Sequence, residues 1–151
     1  MKTRMSGLSA TICTFVLALG LFGCAASGPK FQEAAPPASS QALIYIYRPG
    51  KFMGGGVAFD VHEGKKEADH AITTLQSGGY FPYYAPPGEV TLWAKTESSA
   101  SVTLDVKADK TYYVRGSVGV GLIVGRPSLE VVDAAKGAAE VKDCKLLPPA
   151  K

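Results

Sequence analysis

The chain is poor in the side chains on which most enzyme and metal chemistry depends. Among 151 residues there are three cysteines, two histidines and one tryptophan, and the formal net charge is only +3. No apolar run approaches the ~18 residues needed to cross a bilayer as a helix. Each shortage excludes something. A near-balanced charge removes the basic footprint of a nucleic-acid binder. The sequence has no Gly-x-Ser-x-Gly elbow, no His-Glu-x-x-His motif and no Cys–His pairing, so it lacks the parts of a hydrolase or metalloprotease. A non-enzymatic chain without a cofactor is therefore expected.

The first 24 residues are the most informative part of what is present. Lys2 and Arg4 form a basic start, and Ala10 to Phe22 is an uncharged stretch of 13 residues. As a helix it would span ~20 Å against a ~30 Å hydrocarbon core, too short for a membrane span and right for the apolar region of a secretory leader. Leu21-Phe22-Gly23-Cys24 follows. These four residues resemble the lipobox of bacterial lipoproteins, with Phe22 standing where a small residue is usual. The resemblance implies cleavage between Gly23 and Cys24 and a diacylglyceryl group, with palmitate-type chains, on the Cys24 thiol. Ala25 after the cysteine implies, by resemblance to sorting in enteric-type bacteria, an outer-membrane location facing the periplasm.

Removing residues 1–23 takes away Lys2 and Arg4 and leaves 14 basic against 13 acidic residues, a net +1. So balanced a surface makes no case for polybasic docking, and lipid on Cys24 must supply the anchoring. Cys13 leaves with the leader and Cys24 is acylated, so Cys144 remains alone and no internal disulfide is possible. Residues 25–41 are rich in Ala, Ser, Gly and Pro, with Pro29, Pro36 and Pro37 interrupting any helix. Composition reads residues 24–41 as a flexible tether that sets the domain about 20–25 Å from its anchor.

Residues 42–147 have the length of one domain, with 148–151 as a C-terminal tail. Their apolar pattern has period two. Val57, Phe59 and Val61 alternate with polar or small neighbours, as do Val90, Leu92 and Ala94, and Val102, Leu104 and Val106. Alternation of this kind places one face on a core and the other in water. Leu43–Arg48 and Thr111–Val118 are apolar on both faces and read as inner strands; Ala71–Leu75, Gly79–Ala85 and Leu129–Val132 complete the set. Turn chemistry separates most of them, most clearly Pro86-Pro87-Gly88, where Pro87 fixes φ and Gly88 accepts positive φ. The pattern predicts an all-β fold, a small antiparallel β-sandwich of 7–8 strands. One short helix is expected over Asp133–Glu140.

Several of these segments together resemble the domain of unknown function 2846 family of small bacterial lipoproteins. They are Ala42-Leu-Ile-Tyr-Ile-Tyr-Arg-Pro-Gly50, Gly54-Gly55-Gly56, Gly78-Gly79-Tyr80-Phe81, Pro86-Pro87-Gly88 and Lys110-Thr111-Tyr112-Tyr113-Val114-Arg115. The resemblance covers roughly residues 42–132 and implies a fold and an exported lipoprotein, with no activity attached. The Gly64-Lys65 turn and the Pro87-Gly88 turn with its following strand are also similar to transthyretin-like, PEGA-type β-modules.

Four groups of residues bear on chemistry. His62 and His70, with Glu63, Glu67 and Asp69, have the donor types of a metal site, but they crowd a Gly-Lys-Lys turn where solvated polar residues are expected, so no metal is assigned. Gly116, Gly119, Gly121 and Gly125 lack the Gly-Lys-Ser/Thr and the following helix of a phosphate loop. The residues between them, Val118, Val120, Leu122, Ile123 and Val124, read as a β-hairpin or an exposed apolar contact loop. Tyr83, Trp93 and Tyr113 are aromatic candidates for stacking on a glycan, with core packing as the alternative. Arg48, Arg115 and Arg126 are candidates for an anion site, with strand-end ion pairs as the alternative. The sequence thus predicts a lipid-anchored, non-catalytic β-domain that contacts an envelope protein. The alternative is a peptidoglycan or small-ligand module that uses exposed aromatics.

Overall fold

Residues 25–51, 55–65 and 71–151 are described here from a computed structural model. The described residues form nine strands and one helix, in the chain order β1 (Ala42–Arg48), β2 (Phe59–Glu63), β3 (Ala71–Leu75), β4 (Gly79–Ala85), β5 (Gly88–Lys95), β6 (Ser99–Val106), β7 (Thr111–Gly119), β8 (Arg126–Val132), α1 (Ala134–Val141) and β9 (Lys145–Leu146). They form a five-stranded sheet in the order β8-β7-β1-β4-β9 and a four-stranded sheet in the order β3-β2-β5-β6. The sheets pack face to face. Ile44, Ile46, Val114 and Leu129 of the first meet Phe59, Val61, Leu92 and Leu104 of the second in one apolar cluster.

The expected sandwich is present, but the larger sheet is mixed. β1 pairs antiparallel with β4 and parallel with β7, and β4 pairs parallel with β9. The cause is connectivity. Between β1 and β7 the chain also builds the entire second sheet, and it returns to the first sheet running the same way as β1. Local turn signals report hairpins between sequence neighbours and carry no information about such a return.

β1 is buried along its whole length because both of its faces are covered. Ala42, Ile44 and Ile46 face the inter-sheet core, while Leu43, Tyr45 and Tyr47 join Tyr80, Val141 and Cys144 in a second cluster on the opposite face of the sheet. Helix α1 covers part of that face. Asp133 caps it by accepting from the Lys136 amide at 2.9 Å, and Gly137 lets it approach so closely that a Cβ there would lie 2.2 Å from Tyr113 Cγ.

The remaining cover corrects the reading of a flexible tether. Residues 25–35 lie along the sheet as a strap. Ala25 bridges to Ser77, Lys30 to Lys145, and buried Ala26 donates its amide to the Ser77 carbonyl at 2.9 Å. The Phe31 ring packs 5.6 Å from Tyr45 and 5.0 Å from Tyr80. Tyr45 Oη accepts from the Ala34 amide at 2.8 Å, and Tyr84 Oη donates to the Ala35 carbonyl at 2.7 Å. Alanine and proline composition suggested mobility, yet Phe31 over an aromatic floor, together with these hydrogen bonds and bridges, docks the segment.

The C-terminal tail is also built in. Leu147 is buried in the inter-sheet core, Thr73 donates to the Pro148 carbonyl at 2.8 Å, and the Ala150 amide donates to Ile72 at 2.9 Å. Since β9 adds to the first sheet and Pro149 bridges to β3 of the second, residues 145–150 fasten the two sheets together.

Candidate functional site

Strand directions place one set of loops at a single end of the sandwich. β1 ends at Arg48, which pairs with Gly79 at the start of β4. β7 runs parallel to β1, pairing Tyr47 with Arg115, and so carries Gly119 four residues beyond that point. β5 runs out to Lys95 before turning at residues 96–98 into β6, and β3 ends at Leu75. The strap begins at this same end, because Ala25 is bridged to Ser77 just before β4. The first residue after the predicted lipidation point is therefore fixed beside these loops. Cys24 and Gly23 themselves lie outside the described residues.

A cleft of about 340 Å³ opens at this end, lined by Arg48, Pro49, Lys51, Arg115, Gly116, Ser117, Val118, Glu130 and Glu140. Two of the candidate arginines are thus brought to one cleft, though from opposite faces of the sheet. Arg48 continues the inward register of Ile44 and Ile46. Its guanidinium is buried, donates to the Val57 carbonyl and lies 5.8 Å from the Phe59 ring centre. Burial draws its pKa below the ordinary arginine value. Arg115 points outward with Tyr47. It donates to Glu130 at 2.6 Å and to Glu140 at 3.0 Å, and Tyr47 Oη donates to the other Glu140 oxygen at 2.6 Å. The Glu130 carboxylate, then Glu140, raises the Arg115 pKa. Both arginines are engaged by the protein's own acceptors. Arg126 is separate from them, 3.6 Å from Glu97.

The β7–β8 connection is the most unusual surface of this end. Val120, Leu122 and Ile123 are 88%, 90% and 91% exposed, and Val124 is 48% exposed. Their backbone, by contrast, is firmly held. The Glu97 carboxylate accepts from the amides of Leu122 at 2.9 Å, Ile123 at 3.0 Å and Val124 at 3.4 Å. Thr96 Oγ1 donates to the Gly125 carbonyl at 2.6 Å. The Ile123 amide, followed by those of Leu122 and Val124 and the Arg126 charge, holds the Glu97 carboxyl below the usual range against a smaller opposing desolvation. Two glycines make the loop possible. A Cβ on Gly121 would lie 2.0 Å from Glu97 Oε1, and Gly125 has φ +107, a left-handed conformation that disfavours side chains. Gly121 and Gly125 thus serve an exposed apolar loop between strands, whereas Gly116 lies within β7 against Leu75.

The aromatic candidates do not gather into one platform. Trp93 is buried on the second sheet and stacks on its cross-strand partner His62, with centroids 4.1 Å apart and rings 11° from parallel. Tyr83 is half-buried and donates to Glu63; burial first, then this carboxylate, raises its pKa above the ordinary phenol value. Tyr113 stacks on Tyr45 at 5.5 Å beneath α1. It also borders a hollow of about 620 Å³ with Glu33, Asp109 and Tyr45. Cys144 is buried, and desolvation, with smaller contributions from Asp143 and Glu140, pushes its thiol up to about 12, which makes it unreactive at neutral pH. Among the described residues no group of three His, Cys, Asp or Glu side chains gathers as metal ligands. Glu67, Asp69 and His70 lie outside them.

Sequence reasoning found the apolar loop but missed Glu97, whose role depends on a β5–β6 turn folding back onto a loop some 25 residues away. No helix among the described residues is long and apolar enough to cross a membrane. No family model, curated protein or solved structure matches the chain.

Proposed function

We propose that this chain is a bacterial envelope lipoprotein, anchored by acylated Cys24, whose β-sandwich is a non-catalytic interaction module held at the membrane surface. One observation carries the reading. The lipobox-like Leu21-Phe22-Gly23-Cys24 runs directly into a folded strap, with Ala25 bridged to Ser77 and Ala26 buried. Cleavage before Cys24 would thus remove the leader and spare the domain. Two or three acyl chains, each contributing ~0.8 kcal/mol per buried CH2, suffice for a stable anchor. By its resemblance to enteric-type sorting, Ala25 favours the outer membrane facing the periplasm.

Replacing Cys24 tests the reading. Cys24→Ser should abolish incorporation of labelled fatty acid and leave an unprocessed or soluble precursor. A Cys24→Ser protein that still fractionates with membranes in processed form would defeat the assignment.

A second reading, a glycan-binding module, draws on the hollow lined by Tyr45, Tyr113, Glu33 and Asp109. Aromatic rings beside carboxylate acceptors suit a polyol. Retention on peptidoglycan would favour it, whereas capture of a discrete protein partner after in-cell crosslinking favours the first.

A further inference from the structure

We propose that the exposed β7–β8 loop enters the same bilayer that holds the acylated Cys24, so that the sandwich stands end-on against the lipid surface. The inference rests on the lipoprotein reading and adds to it an orientation and a second membrane contact. Three observations carry it.

The first is position. Ala25 is fixed to Ser77, and Cys24 is one peptide bond away, about 3.8 Å between Cα atoms. Lipid on Cys24 must therefore lie at the end of the sandwich where β7 passes beyond Arg48 into the loop. With the strap docked, little slack remains for the domain to turn away.

The second is the chemistry of the loop. Val120, Leu122 and Ile123 present branched apolar side chains almost wholly to solvent, a costly arrangement in water. Entry into an apolar medium would ordinarily be opposed by bare backbone amides. Glu97 already satisfies those of Leu122, Ile123 and Val124, so the loop can leave water without stranding these donors.

The third is the surrounding charge. Exposed Lys51 and Lys95 sit on the segments around the loop, and Arg126, also exposed, balances Glu97 at 3.6 Å. The nearby carboxylates are engaged, Glu97 with the loop and Glu130 and Glu140 with Arg115. An apolar tip with basic flanks fits an anionic bilayer better than an apolar protein groove. Two or three side chains would reach the headgroup–acyl boundary without spanning.

The test uses the full lipidated protein in vesicles of phosphatidylethanolamine with phosphatidylglycerol. Ile123→Cys carries an environment-sensitive nitrobenzoxadiazole label, and Thr103→Cys, exposed on β6, carries the control label. The buried Cys144 thiol does not compete. The expected result is a several-fold rise and blue shift of emission at position 123, quenched by nitroxide on the lipid chains, with position 103 unchanged. Val120→Ser with Leu122→Ser beside the label should remove most of that rise.

Protein that floats with vesicles while position 123 stays as wet as position 103 would overturn the inference and leave the anchor standing. Protein that is neither acylated nor vesicle-bound would defeat both. A label that is wet in vesicles but shielded in native envelopes would assign the loop to a protein partner and overturn the lipid assignment.

Discussion

Tyr45→Ala should lower the unfolding free energy by about 3–5 kcal/mol, the range for truncating a large buried aromatic. Tyr45 is the centre of the second core. Its ring lies 5.6 Å from Phe31, 6.2 Å from Tyr80 and 5.5 Å from Tyr113, so truncation removes the floor beneath the strap and opens a cavity under α1. Tyr45→Phe separates packing from hydrogen bonding. It keeps the ring and loses only the acceptor for the Ala34 amide, and should cost about 1 kcal/mol because water can replace that partner. Urea unfolding of both variants, with limited proteolysis between residues 27 and 41, checks the division. The alanine variant should be nicked readily in the strap and the phenylalanine variant barely. Equal costs for the two would mean that the strap is held by its hydrogen bonds and that the aromatic floor is incidental.

The second large effect is expected at Glu140, where one carboxylate serves two elements. It accepts from fully buried Tyr47 at 2.6 Å and from Arg115 at 3.0 Å, tying α1 to β1 and β7. Glu140→Ala should cost about 2–3 kcal/mol, chiefly by leaving the Tyr47 hydroxyl without its acceptor. The Arg115 part is smaller, because that side chain is a quarter exposed and keeps Glu130. A double-mutant cycle with Tyr47→Phe should return a coupling of about 1–2 kcal/mol, so that the second substitution hurts less once the first is made. Burial, then Glu140, raises the Tyr47 pKa above the ordinary phenol value. A raised folded pKa means that this contribution is complete below pH ~10 and is lost as pH rises further. Additive losses in the cycle would show that the two side chains are energetically independent.

Much of the sandwich was legible because its strands obey period two and its turns carry proline or glycine where the backbone requires them. Gly88, with φ +127 after Pro86-Pro87, is one such position. What the sequence left hidden depends on contacts between distant segments. β9 has two residues, too few for any periodicity, and it exists because Gly79 leaves room for Leu147 beside it. The parallel pairing of β1 with β7 is a property of the route through the second sheet. The strap was misread because composition weighs seventeen residues equally, whereas docking depends mainly on Phe31 and a few backbone bonds.

The candidate site divides along the same line. The apolar residues of the β7–β8 loop stand out in sequence because nothing nearby offers them a core. Arg48 stands at a strand end as read, whereas Arg115 lies in the middle of β7; the structure brings both to one cleft while giving each its own partners. Trp93 and Tyr113 were ambiguous because alternation fixes which face a side chain occupies, not whether that face is covered. His62 and α1 decide it.

Intact-mass and N-terminal peptide analysis of the mature protein isolated from its native membranes tests the central claim most directly. The account predicts a chain that begins at Cys24, heavier than the bare polypeptide by a diacylglyceryl group or by that group plus an amide-linked acyl chain. A chain retaining residues before Cys24, or one beginning there with an unmodified thiol, would contradict it.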